Sequence, residues 1–283
     1  MTVVTEDDAA EARRLDDARR AGREVVLEVV FRPPATLLAR ALARAGVAAP
    51  AVVLANALTG LVAAFALARG ELVAAAVLLQ LKTLLDNTDG RLARMTGRVT
   101  LVGRYLDTEA DLVVNAALFA ALGHVTGEPL LAALSFAALV LVLAVDYNLT
   151  GLYREERGLT VPSATRSGGT LERALEWIYG VTFGQLDRAI RALSRRRLGR
   201  IVAGGADPGL ADDARLAYID RVAVTVVANL GLSTQLLVLG ICLVAGVPAL
   251  YLWLVLACLA LLVALHLRAE SRARAVLSTR RAA

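Results

Sequence analysis

Two pairs of aspartates have the spacing that places both members of a pair on one face of a helix. Asp86 and Asp89 are three residues apart, and Asp107 and Asp111 are four apart, so each pair can share a helical face. A short turn between two such helices would bring the four carboxylates together. A cluster of like charges needs cations, and hard oxygen ligands favour Mg²⁺, Mn²⁺ or Ca²⁺. Two such ions could clamp a phosphoryl group and activate an attacking oxygen.

Small residues and an arginine accompany these acids. Gly90, Ala93 and Gly103 would let a ligand approach the backbone closely, and Arg94 could bind phosphate with its planar guanidinium group. Acids at helix ends often serve only to cap and solvate the helix, so one isolated pair is weak evidence. The complete pattern is far more specific, because it reads D-x2-D-G-x2-A-R-x8-G-x3-D-x3-D.

This pattern resembles, without a mismatch, the signature of the CDP-alcohol phosphotransferase (CDP-alcohol phosphatidyltransferase) family, and the resemblance is specific from about residue 50 to 150. It implies a membrane enzyme of phospholipid synthesis. Such an enzyme transfers a phosphatidyl or other phospho-alcohol group from a CDP-linked donor, usually CDP-diacylglycerol, to an alcohol and releases CMP. The resemblance also implies two divalent ions, Mg²⁺ or Mn²⁺, and a homodimer.

The resemblance further implies roles for individual residues. Asp86, Asp89 and Asp107 resemble the ligands of the first ion, Asp107 and Asp111 those of the second, and Asp111 resembles the general base. The expected contacts of the CDP donor are Gly90, Ala93, Arg94, Thr100 and Gly103. Candidates for contacting a phosphorylated acceptor are Arg154, Arg157 and Arg166. Leu112 stands where relatives that use phosphorylated polyols commonly have a basic residue, which weighs against such acceptors.

The helices that must position these residues are predicted from long uncharged stretches. Hydrophobic residues make up 57% of the 283 residues, and the mean hydropathy is +0.60. About 20 apolar residues cross a bilayer as a helix. We therefore expect an all-α integral membrane protein with six transmembrane helices, near residues 50–68, 71–96, 100–124, 129–151, 217–245 and 247–268. The first four belong to a segment at 50–151 that carries the motif, and the last two form a segment at 217–268.

The arginines predict how the chain is oriented. They concentrate in a charged leader at 1–34, in the turn at 91–104, in a loop at 152–216 with an amphipathic helix, and in a tail at 269–283. Cytoplasmic loops carry the excess of basic residues, so the active site and both termini should be cytoplasmic, in a multi-pass protein of the cell membrane. Residues 35–49 are expected to form an amphipathic helix in the membrane interface.

Two other kinds of membrane protein also use acidic residues on helices. A divalent-cation transporter would also use acidic helices, but it would not need Gly90, Ala93 and Arg94 at this spacing. A prenyltransferase-like membrane enzyme would use two separated aspartate-rich motifs rather than one. The hydrophobic spans exclude a nucleic-acid binder. The sequence leaves the acceptor alcohol open.

Three polar residues within the spans are expected to have structural roles. Lys82 is expected to extend its ammonium group to the membrane interface. Asn56 and Thr59 could contact the nucleotide or bond to the backbone of their own helix, and the second is the expectation.

Overall fold

A computed structural model describes residues 22–157, 164–166, 168–202 and 208–279, and these residues contain helices and no β-strand. Most of the predicted leader, residues 1–21, lies outside them. A π-helical turn at Leu27–Phe31 runs into helix α1, Arg32–Arg44. Two prolines occupy the first turn of α1, where helix geometry needs no backbone N–H. The expected helix at 35–49 therefore begins three residues earlier and ends before Gly46, which adopts a positive φ of 70°.

Four long helices follow, joined by short turns, so that each is antiparallel to the one before. They are α2 (Ala49–Ala68), α3 (Leu72–Met95), α4 (Leu101–Thr126) and α5 (Pro129–Glu155). Their bounds agree with the sequence prediction to within a few residues, because glycine or proline marks nearly every turn. Leucines from all four helices meet in the largest buried cluster, which includes Leu67, Leu79, Leu118, Leu122 and Leu139.

The predicted loop at 152–216 is mostly helical where it is described. Helices α6 (Thr170–Val181), α7 (Phe183–Val202) and α8 (Pro208–Tyr218) occupy it. The amphipathic helix expected there is divided in two at Thr182, which has non-helical dihedral angles.

The expected fifth span at 217–245 is not one continuous helix. It is divided into α9 (Arg221–Ala228) and α10 (Leu232–Val244). Asp220 begins α9 by accepting a hydrogen bond from the backbone N–H of Ala223 at 2.7 Å. The break at residues 229–231 carries no charge, so an argument from uncharged runs does not detect it.

The last helix, α11 (Pro248–Thr279), continues well past the predicted end at residue 268. Ala269 and Ala273 are buried against Tyr218 and Ile219 at the junction of α8 and α9. This packing makes the start of the predicted 269–283 tail helical. Residues 280–283 lie outside the described part.

Four helical segments are long and apolar enough to cross a membrane, namely 49–68, 129–155, 213–244 and 248–278. Helices α3 and α4 are also long, but they carry the charged motif. The described residues therefore form an all-α protein with the character of a multi-pass membrane protein.

Candidate active site

The turn between α3 and α4 fixes the two helices that carry the motif. Gly97 adopts a φ of +67°, a left-handed conformation that glycine reaches without steric cost. Thr100 caps α4, since its hydroxyl accepts a hydrogen bond from the N–H of Gly103 at 3.1 Å. Thr165 pairs with the backbone of Val99 and Leu101 on either side of this cap. The segment after α5 thus holds the turn in place.

Three of the four predicted aspartates converge between α3 and α4. Asp86, Asp107 and Asp111 each place a carboxylate oxygen within 4.8 Å of the other two. Asp89 lies one turn after Asp86 on α3 and is 5% exposed. Oxygen ligands at this separation are suited to a shared hard cation.

A lysine occupies one side of this cluster. The Nζ atom of Lys82 lies 2.7 Å from Oδ1 of Asp111 and 3.7 Å from Oδ1 of Asp86, and the side chain is completely buried. The expectation that Lys82 extends to the interface is therefore wrong, because the carboxylates attract its ammonium group inward. Two signals could have found it: Lys82 is the only lysine in the chain, and it stands four residues before Asp86, on the same helix face.

Asn56 on α2 is also part of the site. Its side-chain amide donates a hydrogen bond to Oδ1 of Asp86 at 3.1 Å, and the residue is fully buried. The expectation that Asn56 bonds to its own helix is wrong. For Thr59 the expectation is confirmed, since its hydroxyl donates to the backbone oxygen of Ala55.

The donor set fits a divalent cation. Oδ2 of Asp89 and Oδ1 of Asp107 are buried and have no hydrogen-bond partner among the described residues. Burying a carboxylate oxygen without a partner is unfavourable. The lysine and the asparagine satisfy oxygens on the other side of the cluster, so these two orphaned oxygens mark where positive charge is missing.

A cavity of about 570 Å³ opens on one side of the cluster. Asp89 and Asp107 lie in its wall, and three arginines, Arg94, Arg98 and Arg104, line it as well. All five residues expected to contact the CDP donor are also in this wall: Gly90, Ala93, Arg94, Thr100 and Gly103. The guanidinium group of Arg94 lies over Gly90, where a β-carbon would come within 3.4 Å of it. Small residues and cations together suit a phosphate-bearing ligand.

A second cavity of about 480 Å³ lies on the other side of α4. It shares Arg104 and Asp107 with the first cavity, and Asp111 also lies in its wall. Apolar residues of α4 and α5 form its deeper part, including Leu112, Leu139 and Leu143. The carboxylate cluster thus stands between two cavities.

Helices α6 and α7 contribute a polar wall to this second cavity that the sequence did not reveal. The hydroxyl of Tyr179 donates to Oδ2 of Asp187 at 2.6 Å, and the amide of Asn148 donates to Oδ1 at 2.7 Å. Burial and the adjacent Asp187 raise the pKa of the Tyr179 phenol above its ordinary value. Tyr179 therefore stays protonated and keeps its role as a donor. Nothing in the spacing of the arginine-rich loop signals these contacts.

The three arginines proposed for the acceptor do not line either cavity. Arg154 lies in the last turn of α5. The guanidinium group of Arg157 stacks 3.7 Å from the ring centroid of Tyr153 and donates to the backbone oxygen of Ile219. Arg166 is exposed and forms an ion pair with Glu176. The structure does not bring these residues together with the carboxylates.

Comparison with known proteins agrees with the motif. Residues 47–176 match the family model described as CDP-alcohol phosphatidyltransferase. Searches of curated proteins and of solved structures found no match to the chain. The matched segment contains α2 to α5, both cavities' shared wall and all four aspartates. Residues 47–176 are therefore similar to the CDP-alcohol phosphatidyltransferase family, whose members are phosphotransferases for substituted phosphate groups.

Proposed function

We propose that the protein transfers a phosphatidyl group from a CDP-linked lipid, CDP-diacylglycerol, to an alcohol and releases CMP. The observation that carries the proposal is the position of the carboxylate cluster between two cavities that share one wall. A group transfer between two substrates needs both of them to reach one set of catalytic groups. A cation transporter has no need of a cavity with three arginines.

The first cavity is the proposed donor site. Arg94, Arg98 and Arg104 supply positive charge for the pyrophosphate. The absence of a side chain at Gly90 leaves room for the guanidinium group of Arg94 close to the backbone. Asp86, Asp89, Asp107 and Asp111 would hold two Mg²⁺ or Mn²⁺ ions, which supply charge stabilisation to the pyrophosphate and to the departing CMP.

Asp111 is the proposed general base. Lys82 holds its Oδ1 atom, which leaves the other oxygen of the carboxylate for the acceptor hydroxyl in the second cavity. Asp111 takes the hydroxyl proton while the acceptor oxygen forms a bond to the phosphorus that bears the lipid. The bond from this phosphorus to the bridging oxygen breaks, and CMP leaves with the electron pair.

The finer membrane arrangement is part of the proposal. Helices α3 and α4 join the four apolar segments to give six spans, with their charged ends at the cytoplasmic surface. The arginine-rich segments at 91–104 and 152–216 support this orientation, and α1 would lie in the interface. A homodimer rests on the family resemblance alone.

The activity is tested with purified protein, Mg²⁺ or Mn²⁺, CDP-diacylglycerol and a panel of alcohols. We expect CMP to appear only when metal, donor and a suitable alcohol are all present, and the lipid product to be identified by mass spectrometry. If neither CMP release nor binding of CDP is detected across the panel, the proposed function is wrong.

A further inference from the structure

The two cavities differ in charge, although they share part of their walls. The first has Arg94, Arg98 and Arg104 against two aspartates. Among the described residues that line the second, Arg104 is the one cation. The negatively charged residues of the same wall are Asp107, Asp111 and Asp187. Phosphate groups are therefore favoured on the first side of α4 and disfavoured on the second.

Two further arginines, Arg191 and Arg157, line neither cavity and are engaged elsewhere. Arg191 donates from Nε to Asn148 at 2.9 Å and pairs with Glu155 at 3.2 Å. Arg157 is held by Tyr153 and Ile219. The internal stretches that the structure leaves undescribed, 158–163, 167 and 203–207, contain no arginine or lysine.

Apart from its aliphatic part, the remaining surface of the second cavity is aromatic and polar, and its described residues carry no further positive charge. The ring centroids of Tyr105 and Tyr179 are 5.1 Å apart, and Phe183 stacks on Tyr179 at 6.1 Å. Tyr179 and Asn148 already donate hydrogen bonds to both oxygens of Asp187. Such a wall suits hydroxyl, amide or ammonium groups.

We propose that the second cavity binds an acceptor alcohol that carries no phosphate group. The inference rests on the proposed function, because it assigns the acceptor to this cavity. Lys82 and the two proposed ions would compensate Asp107 and Asp111, but they lie away from Asp187. A phosphorylated alcohol in this cavity would therefore meet the negative charge of Asp187, with Arg104 at the exposed rim as the cation of the wall.

Matched pairs of acceptors test this inference. CMP release from CDP-diacylglycerol is compared for glycerol and glycerol phosphate, inositol and inositol phosphate, and serine and phosphoserine. We expect the unphosphorylated member of the preferred pair to react faster by a factor of about ten or more, since one like-charge contact in a partly buried site is worth at least that much. Preference for the phosphorylated member would overturn the inference, and so would inactivity of every pair in protein that binds CDP.

Two variants show whether the charge of the second cavity's wall causes the preference for unphosphorylated acceptors. Asp187→Asn removes a negative charge from the wall. It should lower KM for the phosphorylated acceptor and so reduce the ratio of the two rates of CMP release. Glu156→Gln makes the same change on an exposed residue outside the cavity and should leave the preference unaltered. Equal effects of the two variants would overturn the assignment of the charge effect to this cavity.

A separate measurement keeps the two proposals apart. Binding of CDP in the presence of Mn²⁺ reports on the first cavity alone. Protein that binds CDP but prefers phosphorylated acceptors would refute only the inference about the second cavity. Protein that does not bind CDP would refute the proposed function and, with it, this inference.

Discussion

Lys82 gives the carboxylate cluster a positive charge of its own. Its ammonium group is buried between Asp86 and Asp111, whereas the orphaned oxygens of Asp89 and Asp107 have no such neighbour. An unpaired carboxylate inside a protein is strongly unfavourable, and one cation relieves only part of that cost. The site therefore has one side that Lys82 neutralises and another side whose carboxylates need bound cations.

Replacing Lys82 by methionine should make the site bind divalent cations more tightly. Without the ammonium group, Asp86 and Asp111 lose their internal counter-ion, and we expect the Kd for Mn²⁺ to fall about tenfold, equivalent to roughly 1.4 kcal/mol. Electron paramagnetic resonance of Mn²⁺ measures the free ion directly. Gln80→Met is the matched control, because Gln80 is two residues away and bonds to Ala76 and Leu236 instead. Unchanged or weaker Mn²⁺ binding by Lys82→Met would contradict the counter-ion role.

Replacing Asp111 by asparagine should stop the reaction and spare the donor site. Loss of a general base costs on the order of 10² to 10⁴ in rate, whereas the first cavity does not include Asp111 in its wall. CMP release and CDP binding are measured on the same preparation. Glu109→Gln changes a carboxylate on the same helix that accepts a hydrogen bond from Thr182, and it should retain activity. Full turnover by Asp111→Asn would remove this residue from the role of base.

Gly60 sets the distance between helices α2 and α4. A β-carbon at this position would lie 2.4 Å from Cγ1 of Val114. We therefore expect Gly60→Ala to lower the free energy of unfolding by about 1 to 3 kcal/mol, measured as a lower Tm in detergent. The double variant Gly60→Ala with Val114→Ala should recover part of the loss, because it removes the clashing methyl group. No recovery would mean that the contact does not determine the spacing.

Glu24 holds the start of α10 from a distance in the sequence. Its carboxylate accepts hydrogen bonds from the backbone N–H and the hydroxyl of Thr234. The desolvation of this buried group raises its pKa above the ordinary 4.5. A raised pKa in the folded state means that its contribution to stability is complete below the unfolded pKa and is lost as pH rises through the folded pKa.

Two substitutions of Glu24 distinguish the effect of its capping hydrogen bonds from the effect of its titration. Glu24→Ala loses the cap and should cost about 0.5 to 2 kcal/mol. Glu24→Gln keeps an acceptor oxygen and should remove the part of the pH dependence of Tm that Glu24 causes as the pH rises above 4.5. If Glu24→Gln and the natural protein show the same dependence on pH, the titration of Glu24 does not affect stability.

The sequence predicts elements better than contacts between them. Helices α2 to α5 follow from apolar runs that end at glycine or proline, because these features act locally. The break between α9 and α10 and the extension of α11 depend on packing against distant helices. The pairing of Lys82 with Asp111 and of Asn56 with Asp86 joins residues about 30 positions apart. Neighbours on different helices leave no periodic signal, so these contacts required the structure.

At the scale of the whole molecule, the distribution of charge predicts which ends of the helices face the cytoplasm. The ends near Arg69, Gly127 and Gly246 carry few charges, whereas the opposite ends and helix α7 are rich in arginine. Basic segments resist transfer across the membrane. The carboxylate cluster lies at the arginine-rich end, where CDP-linked donors and soluble alcohols would reach it from the cytoplasm.

Single cysteines at opposite ends of the helices test this orientation. Glu128 and Arg196 are both exposed, whereas the natural Cys242 is buried and Cys258 is half-buried within α11. We expect Glu128→Cys to react with a membrane-impermeant maleimide in intact cells, and Arg196→Cys to react only after the cells are opened. The natural protein controls for labelling of Cys242 and Cys258. The reverse pattern would put the active site on the outer face, where cytoplasmic nucleotide donors do not reach, and would contradict both the orientation and the proposed donor.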